Sequence, residues 1–577
     1  MTGLLDRVDR GAAAAIAALG RHPRRAAAAL LLIGLVALLP GQGALPLLDR
    51  DEARFVQGSR QMLETGDYID IRNQEAPRYK KPVGIYWLQA GAAALSGQGA
   101  EAPMRVFRLP SLLGILAASM LIWWGSLPLA GPAAAALAGL AVATSVLTVG
   151  EAHIAKTDAA LLAAVVAMQA GLIRTWQAAG PVPARWLFWG GAAVGTLLKG
   201  PIAPLIGAVT LMGLLAHDRR AALWRRLRPL SGLALFAAVV LPWFIAIGIV
   251  SDGAFYRASF GEDLLGKVGQ GAEGHDGPAG YYLATIWLTF WPWAPFALLA
   301  LPWAWRARRR PPVVLVALWA LPVWLLFSAT GTKLPHYIMP ALPPMAALAA
   351  LWLVQGRFEF GAAAWLRAVA AVLLAGGAGI LAALIVIAPL YLDLRPAPLA
   401  VGMGAAGLLA ALAAAWAMAA DRLFAAAALS LAAALTLTPA LIAGTLPRLA
   451  PLFPSERIAA LDAALDACVP RPVLSVGYRE MSLVARAGTD TEFPQVDTAA
   501  DRLAEGDGWR VFVTSEGDAD LELLRQATGR PLAEIARFPS INYNQSDDRL
   551  STVLVARADD SLLAPCLADL PFSTSRR

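Results

Sequence analysis

Runs of about 20 apolar residues, enough for a helix to cross a bilayer core about 30 Å thick, recur between residues 26 and 445. They fall at 26–44, 108–129, 132–150, 157–176, 184–198, 200–216, 230–250, 281–303, 312–329, 335–354, 363–391, 397–420 and 422–445. This pattern predicts about thirteen transmembrane helices. The pair 184–198 and 200–216 is short, and 422–445 is rich in alanine. Polar sequence collects in the intervals 45–107 and 251–280 and in the tail, 446–577. In the tail, Pro472–Gly477 (PVLSVG), Val511–Ser515 (VFVTS) and Thr552–Arg557 (TVLVAR) read as short buried strands. Ser455–Ala467 reads as a helix with Ser455 as its N-cap. The fold class expected is a polytopic all-α membrane protein with a C-terminal soluble α/β domain.

Composition narrows this further. Of 577 residues, 58% are hydrophobic and only 15% charged, against about 25% charged in soluble proteins. The apolar content excludes disorder, and 40 prolines with 51 glycines exclude a coiled coil. The net charge of +7 does not point to nucleic acid, because the arginines sit in short loops between apolar runs. Arg21, Arg24 and Arg25 precede the first run. Arg219, Arg220, Arg225, Arg226 and Arg228 occupy loop 217–229, and Arg306, Arg308, Arg309 and Arg310 occupy loop 306–311. Thirteen crossings put all three on one side, the cytoplasm by the positive-inside rule. The first run is read as retained, since no small-x-small cleavage site follows it. Residues 1–25 are then a cytoplasmic segment and 26–445 the transmembrane domain. Loops 45–107 and 251–280 and the tail 446–577 lie outside, periplasmic in a bacterium. Cys468 and Cys566, the two cysteines of the chain, lie in that outer tail. They are expected to pair, the alternative being two buried thiols.

Most of the unusual polar residues fall on that outer face. Between Asp49 and Lys81 stand seven acidic and seven basic residues. The stretch Asp51–Thr65 suits an amphipathic helix stopped by Gly66. Phe55, Ser59, Met62 and Leu63 share one face of it. Asp51, Arg54, Phe55 and Gly58 share another, with a carboxylate beside a guanidinium and a glycine leaving room for a ligand. The plainer reading is that Asp49 or Asp51 caps the helix and the rest is solvated. Lys80-Lys81-Pro82 opens a second amphipathic stretch, 83–95, in which Tyr86 and Trp87 suit the membrane interface. The lysines suit either lipid headgroups or a phosphate clamp. Glu151, His153, Lys156 and Asp158 gather at the mouth of a span, as helix caps or as costly charges that mark a site. A metal site built from His153 and Asp158 lacks a motif. Lys199 stands at the turn forced by Gly200-Pro201, either snorkelling or reaching a ligand. Loop 251–280, with Tyr256, Arg257, Glu262, Asp263, Lys267, Glu273, His275 and Asp276, suits either a lid or a connector. Lys333, His336 and Tyr337 form a donor-rich, proline-flanked helix start suited to an anionic leaving group.

Together these motifs resemble a known family. DEARF at 51–55, YKKP at 79–82 followed by YWL, TD at 157–158, LLKGP at 197–201, LPWF at 241–244 and FSATGTKLPHYIMP at 327–340 come in the order of the aminoarabinose-transferase/protein-mannosyltransferase superfamily. The resemblance covers about residues 26–350 by motif. It implies a membrane glycosyltransferase of the C-type fold, with thirteen spans and an outer C-terminal α/β domain. Such an enzyme takes a sugar from a polyprenyl phosphate, usually undecaprenyl phosphate, with inversion. The acceptor implied is lipid A or another cell-envelope glycolipid. Residue by residue, the resemblance makes Asp51 catalytic, Lys81 a donor-phosphate ligand and Tyr337 a lining residue. Arg54 and Lys333 join Lys81 in binding the donor phosphate, and Tyr337 is assigned to the same group. Glu52, Asp158, His336 and Lys199 are assigned to sugar contact or support. Members often carry an acidic residue before the phosphate lysine, in some cases binding a divalent metal. Here it is Lys80, so the expectation is a mechanism without a metal or other cofactor. Two further readings compete: transfer of a hexose such as mannose to protein, and a transporter or flippase of lipid-linked sugar. Transporters place polar groups near the midplane, whereas here they gather at one face.

Overall fold

The computed structural model describes residues 2–178, 184–218, 222–259, 261, 277–278, 280–545, 548–563 and 565–566. Among these residues, eight helical runs are long and apolar enough to cross a membrane: Met104–Thr144, Thr157–Trp176, Pro229–Val250, Pro311–Ala329, Pro335–Glu359, Ala364–Tyr391, Pro398–Ala419 and Leu423–Arg448. The apolar helix Ile202–Asp218 is shorter.

Several predicted spans differ in detail. The runs 108–129 and 132–150 are two helices that fold back on each other where the chain leaves helical geometry at Gly131 (φ 74°, ψ 164°) before Pro132; Ser119 of the first donates to the Gly139 carbonyl of the second at 2.8 Å. Glycine tolerates that backbone and proline cannot supply the missing amide, so the chain bends here. Run 281–303 is two helices, Tyr281–Thr289 and Ala294–Arg306. Run 335–354 opens as a 3-10 turn, Pro335–Ala341, because its prolines remove helix donors. Ahead of the first span, Thr2–Arg21 is itself a helix. It packs on Leu423–Pro439, where Asp6 pairs with Arg422 and Asp9 accepts the Ala425 amide at 2.9 Å.

The tail folds as a four-stranded sheet in the order 474–476, 510–515, 550–557, 532–540. The first pair is parallel and the other two antiparallel. Phe512, Leu554 and Ala536 pack on one face with Ile458 and Leu461. Val511, Val513 and Val553 pack on the other with Leu521 and Leu524. Strand Leu532–Ser540 is additional to the three expected. Its register shifts between Glu534 and Ala536, which breaks the period of two that marks a strand. Helix Pro454–Asp466 begins with Phe453 in the cap position and no side-chain cap. Ser455 therefore is not an N-cap; its hydroxyl bonds Tyr478 at 3.0 Å and Ser482 at 2.5 Å. Cys468 and Cys566 are joined, with Cα atoms 6.2 Å apart.

Candidate active site

The first polar loop supplies helix Asp51–Thr65, stopped by Gly66 in the left-handed region. Neither Asp49 nor Asp51 caps it. The cap position is Arg50, at φ 64° and ψ −111°, a backbone that strains any residue with a Cβ. Asp51 follows in the first helical turn, where the positive end of the helix favours a carboxylate. Glu52, expected to contact the sugar or to support the site, has the geometry of support and anchors the loop. Its carboxylate accepts Arg108 Nε at 2.8 Å and Nη2 at 3.0 Å, the Ala155 amide at 2.7 Å and the Leu48 amide at 2.9 Å. Arg108 also donates to the carbonyls of Gln42, Leu45 and Pro46. Both side chains of the pair are fully buried. Removing one partner from such a pair strands the other charge, at a cost of about 3–5 kcal/mol. Glu52→Gln is therefore expected to lower the melting temperature sharply and to lose yield before it loses chemistry, as thermal unfolding of purified protein would report.

Gly58 leaves room for protein, not ligand: a Cβ there would stand 2.8 Å from the Tyr86 ring. Tyr86 is correspondingly buried rather than interfacial, while Trp87 is exposed. Helix Gly84–Leu95 starts at a glycine whose added Cβ would meet the Leu197 carbonyl at 2.7 Å. That close approach sets the start of this helix against the end of helix Ala184–Lys199, and Lys81 and Lys199 line the same cavity.

Beyond it runs a chain of alternating charge. Lys199 Nζ meets Asp158 Oδ1 at 2.5 Å and lies 5.0 Å from the Tyr337 ring centre. Asp158 Oδ2 is 3.7 Å from His336 Nε2 and 3.8 Å from Lys156 Nζ. Lys156 pairs in turn with Glu151 at 2.9 Å and contacts His336 Nδ1 at 3.3 Å. Burial opposes the Lys156 charge, but Glu151 and Asp158 outweigh it and hold its pKa above the ordinary lysine value.

One cavity of about 260 Å³ collects these groups. Asp51, Glu52, Arg54, Lys81, Asp158, Lys199, His336 and Tyr337 all line it. Arg50, Arg78, Lys80 and Lys156 line it too, residues not assigned from sequence. Its wall holds seven cationic side chains against four carboxylates, Asp49 being the fourth, so the cavity attracts anions. Lys333 does not line it. Its ammonium donates to the Thr330 carbonyl at 2.6 Å and is buried, so its charge answers its own turn. His153 bonds the Val149 and Pro40 carbonyls through its two ring nitrogens. Among the described residues no group of three His, Cys, Asp or Glu side chains is placed to hold a metal. The Tyr256 hydroxyl donates to the Phe244 carbonyl of helix Pro229–Val250 and Arg257 to the Asp252 carbonyl, and Glu262, Asp263, Lys267, Glu273, His275 and Asp276 lie outside the described residues.

The tail domain reaches this loop directly. Tyr478 Oη donates to Asp49 Oδ2 at 2.8 Å, and the Asp49 amide donates to Tyr543 Oη at 2.7 Å. Burial pushes the Asp49 carboxyl up from 3.8 to about 7, against hydrogen bonds from Ser482 and Tyr478 that favour the charge. The folded protein thus holds a proton on Asp49 that the unfolded chain releases above its ordinary pKa. Stability from this group is present at low pH, declines as pH rises through the interval from about 4 to about 7, and is level above. Asp49→Asn is expected to flatten that slope when melting is followed against pH.

The cavity and the arginine-rich loops lie at opposite ends of the helices. Helix Ile202–Asp218 leaves Lys199 at one end and leads towards Arg225, Arg226 and Arg228 at the other. Helix Pro311–Ala329 runs from Arg310 back towards Tyr337. A many-helix scaffold thus carries an anion-attracting cavity at one helix end, with an α/β domain bonded to the loop that lines it. Comparison with known proteins adds relatives in sequence and in fold. Residues 80–245 match the family described as dolichyl-phosphate-mannose-protein mannosyltransferase. The undecaprenyl phosphate-alpha-4-amino-4-deoxy-L-arabinose arabinosyl transferase of Pseudomonas aeruginosa is 32% identical over 358 residues, 60% of this chain and 62% of that protein. Its namesake from Edwardsiella ictaluri is 29% identical over 372 residues, 63% and 65% of the two chains. The matched region thus spans a little under two thirds of the length of these relatives. The crystal structure of ArnT from Cupriavidus metallidurans bound to undecaprenyl phosphate superposes with a TM-score of 0.68, covering 91% of this chain and 96% of that one at 20% identity. The chain is thus similar in sequence to these arabinosyl transferases over about 60% of its length, and similar in fold to the ArnT crystal structure.

Proposed function

We propose that this protein is a membrane glycosyltransferase. It moves a sugar from a polyprenyl-phosphate donor, undecaprenyl phosphate in its relatives' names, to lipid A or another cell-envelope glycolipid. The reaction takes place at the periplasmic face of a bacterial inner membrane crossed about thirteen times. The observation that carries this reading is the single cavity in which Asp51 faces a cationic wall.

In this chemistry the bond between the anomeric carbon and the phosphate oxygen breaks as an acceptor oxygen attacks the carbon. The electron pair leaves on the phosphate. Lys81, Arg54 and Arg78 stabilise that growing negative charge. Lys199 and Lys156, fixed by Asp158 and Glu151, hold their ammonium groups in place before the donor arrives, so little reorganisation is needed as the bond breaks. Asp51 orients the acceptor, and removes its proton when the acceptor is a hydroxyl. Lys80 and the absence of a clustered ligand set among the described residues do not suit a divalent metal, and no step uses one.

The polyprenyl tail has a path. An apolar groove of about 720 Å³ runs between helices Tyr281–Thr289, Ala294–Arg306 and Pro311–Ala329, walled by Trp287, Leu298 and Trp324. Leu283 lines it, and the hydroxyl of the neighbouring Tyr282 donates to the carbonyl of Leu334, which lines the cavity. Mass spectrometry of lipid A and surface glycans from a deletion strain tests the reading. Loss of a sugar substituent from an envelope glycolipid supports it. Unchanged glycolipids with loss of sugar from proteins would move the acceptor to protein.

A further inference from the structure

The turn that presents Asp51 is held from two sides, by the Glu52–Arg108 pair within the transmembrane domain and by the tail domain outside it. Residues 47–51 enter helix Asp51–Thr65 through the strained Arg50 backbone. Three groups of the tail domain grip that turn. Glu456 accepts the Leu47 amide at 3.3 Å, Tyr543 accepts the Asp49 amide at 2.7 Å, and Tyr478 donates to the Asp49 carboxylate at 2.8 Å. Tyr478 is fully buried and is itself fixed by Ser455 at 3.0 Å and Ser482 at 3.3 Å. Further along the same helix, Gln57 Nε2 donates to Thr489 Oγ1 at 2.9 Å, Thr489 donates to Glu64 at 3.0 Å, and Arg60 donates to the Ala485 carbonyl. Met481 and Ala485 pack against Ala53, Val56 and Phe107. A rigid domain some 430 residues along the chain is thus keyed to both the start and the body of the Asp51 helix. A strained turn persists only where its surroundings over-determine it, and here the tail supplies the contacts to Leu47 and Asp49 that the Glu52–Arg108 pair does not.

From this we propose that Tyr478 is a positioning residue for sugar transfer, acting through Asp49 to fix the Leu47–Asp51 turn and so the reach of the Asp51 carboxylate. The tail domain is then a working part of the active site. The proposal rests on the glycosyltransferase reading above, and it adds a requirement that reading does not contain. Tyr478 touches no reacting atom. Its loss should therefore act mainly on the rate of the bound complex and little on donor affinity, because most of the cationic wall, Arg78, Lys80, Lys81, Lys156 and Lys199, lies on other elements.

The test uses the full-length protein in lipid, with a synthetic polyprenyl-phosphate sugar and a glycolipid acceptor. Four proteins are compared with wild type: Tyr478→Phe, Asp49→Asn, the double variant, and Arg525→Ala as a surface change in the same domain. Tyr478→Phe is expected to lower kcat about ten- to a hundredfold, the scale of a small misplacement of a reacting group, with donor KM within about twofold and melting temperature nearly unchanged. The double variant should lose no more than the worse single one, because both changes act on one unit. Arg525→Ala should behave as wild type. Full kcat in a stably folded Tyr478→Phe protein would overturn the proposal, as would a change confined to KM or multiplicative losses in the double variant. If Tyr478→Phe fails to fold, Tyr543→Phe, which removes the acceptor of the Asp49 amide, is held to the same kcat criterion. Wild-type protein that transfers no sugar at all would overturn the glycosyltransferase reading itself, an outcome distinct from an active wild type with a fully active Tyr478→Phe.

Discussion

Asp51→Asn is expected to reduce sugar transfer at least about a hundredfold, the range of a positioned acid–base group, while the protein still folds and inserts. The asparagine keeps the size of the side chain and its place in the first turn of helix Asp51–Thr65. It removes the charge that faces Lys156 and His336 across the cavity. The neighbouring carboxylate should behave differently. Glu52 is spent on Arg108 and two backbone amides, so its loss reads out in stability. The contrast between adjacent acids is the useful part: Asp51→Asn lowers kcat in a stable protein, and Glu52→Gln lowers stability. Initial rates and thermal melting on the same preparations separate the two. Near-normal transfer by a well-folded Asp51→Asn protein would remove Asp51 from the reaction.

Lys81→Ala is the second large effect. The lysine sits half-buried on the cavity wall, three residues ahead of the close contact of Gly84 with the Leu197 carbonyl. Removing one preorganised donor to a developing anion costs about a hundredfold or more in rate. Because phosphate is charged before and after bond cleavage, donor KM should rise as well as kcat fall. Lys81→Arg should recover only part of the activity, since a planar guanidinium does not replace a compact ammonium. Lys333→Ala provides the internal contrast. Its ammonium answers the Thr330 carbonyl, so the expected effect is on local folding, with kcat/KM close to wild type in the folded fraction. Steady-state kinetics with a water-soluble short-chain donor measure all three.

Much of this site was legible because membranes make charges conspicuous. Asp158, Lys199, His336 and Tyr337 each interrupt or end an apolar run, where a charge or donor has to be explained. Lys81 and Asp51 were marked by motif. What the sequence could not show was pairing over distance. Glu52 and Arg108 are 56 residues apart, and Arg108 reads as an ordinary flank at the start of a span. Lys333 misled for the opposite reason, since a carbonyl three residues away takes its charge. Gly58 looked like space for a ligand because nothing in the pattern of Asp51–Thr65 reveals that Tyr86 fills it. In the tail, strands with alternating or continuous apolar residues were readable, whereas Leu532–Ser540 was hidden by its bulge. The contribution of Tyr478 and Tyr543 had no local signal at all, since each is a single tyrosine in a soluble domain.

The most direct measurement is on purified wild-type protein in lipid, supplied with a series of polyprenyl-phosphate sugars and a glycolipid acceptor. The expected result is release of free polyprenyl phosphate in one-to-one step with formation of a new glycoside. Labelled lipid crossing the bilayer with no glycosidic bond formed, or no phosphate released from any donor, would contradict it.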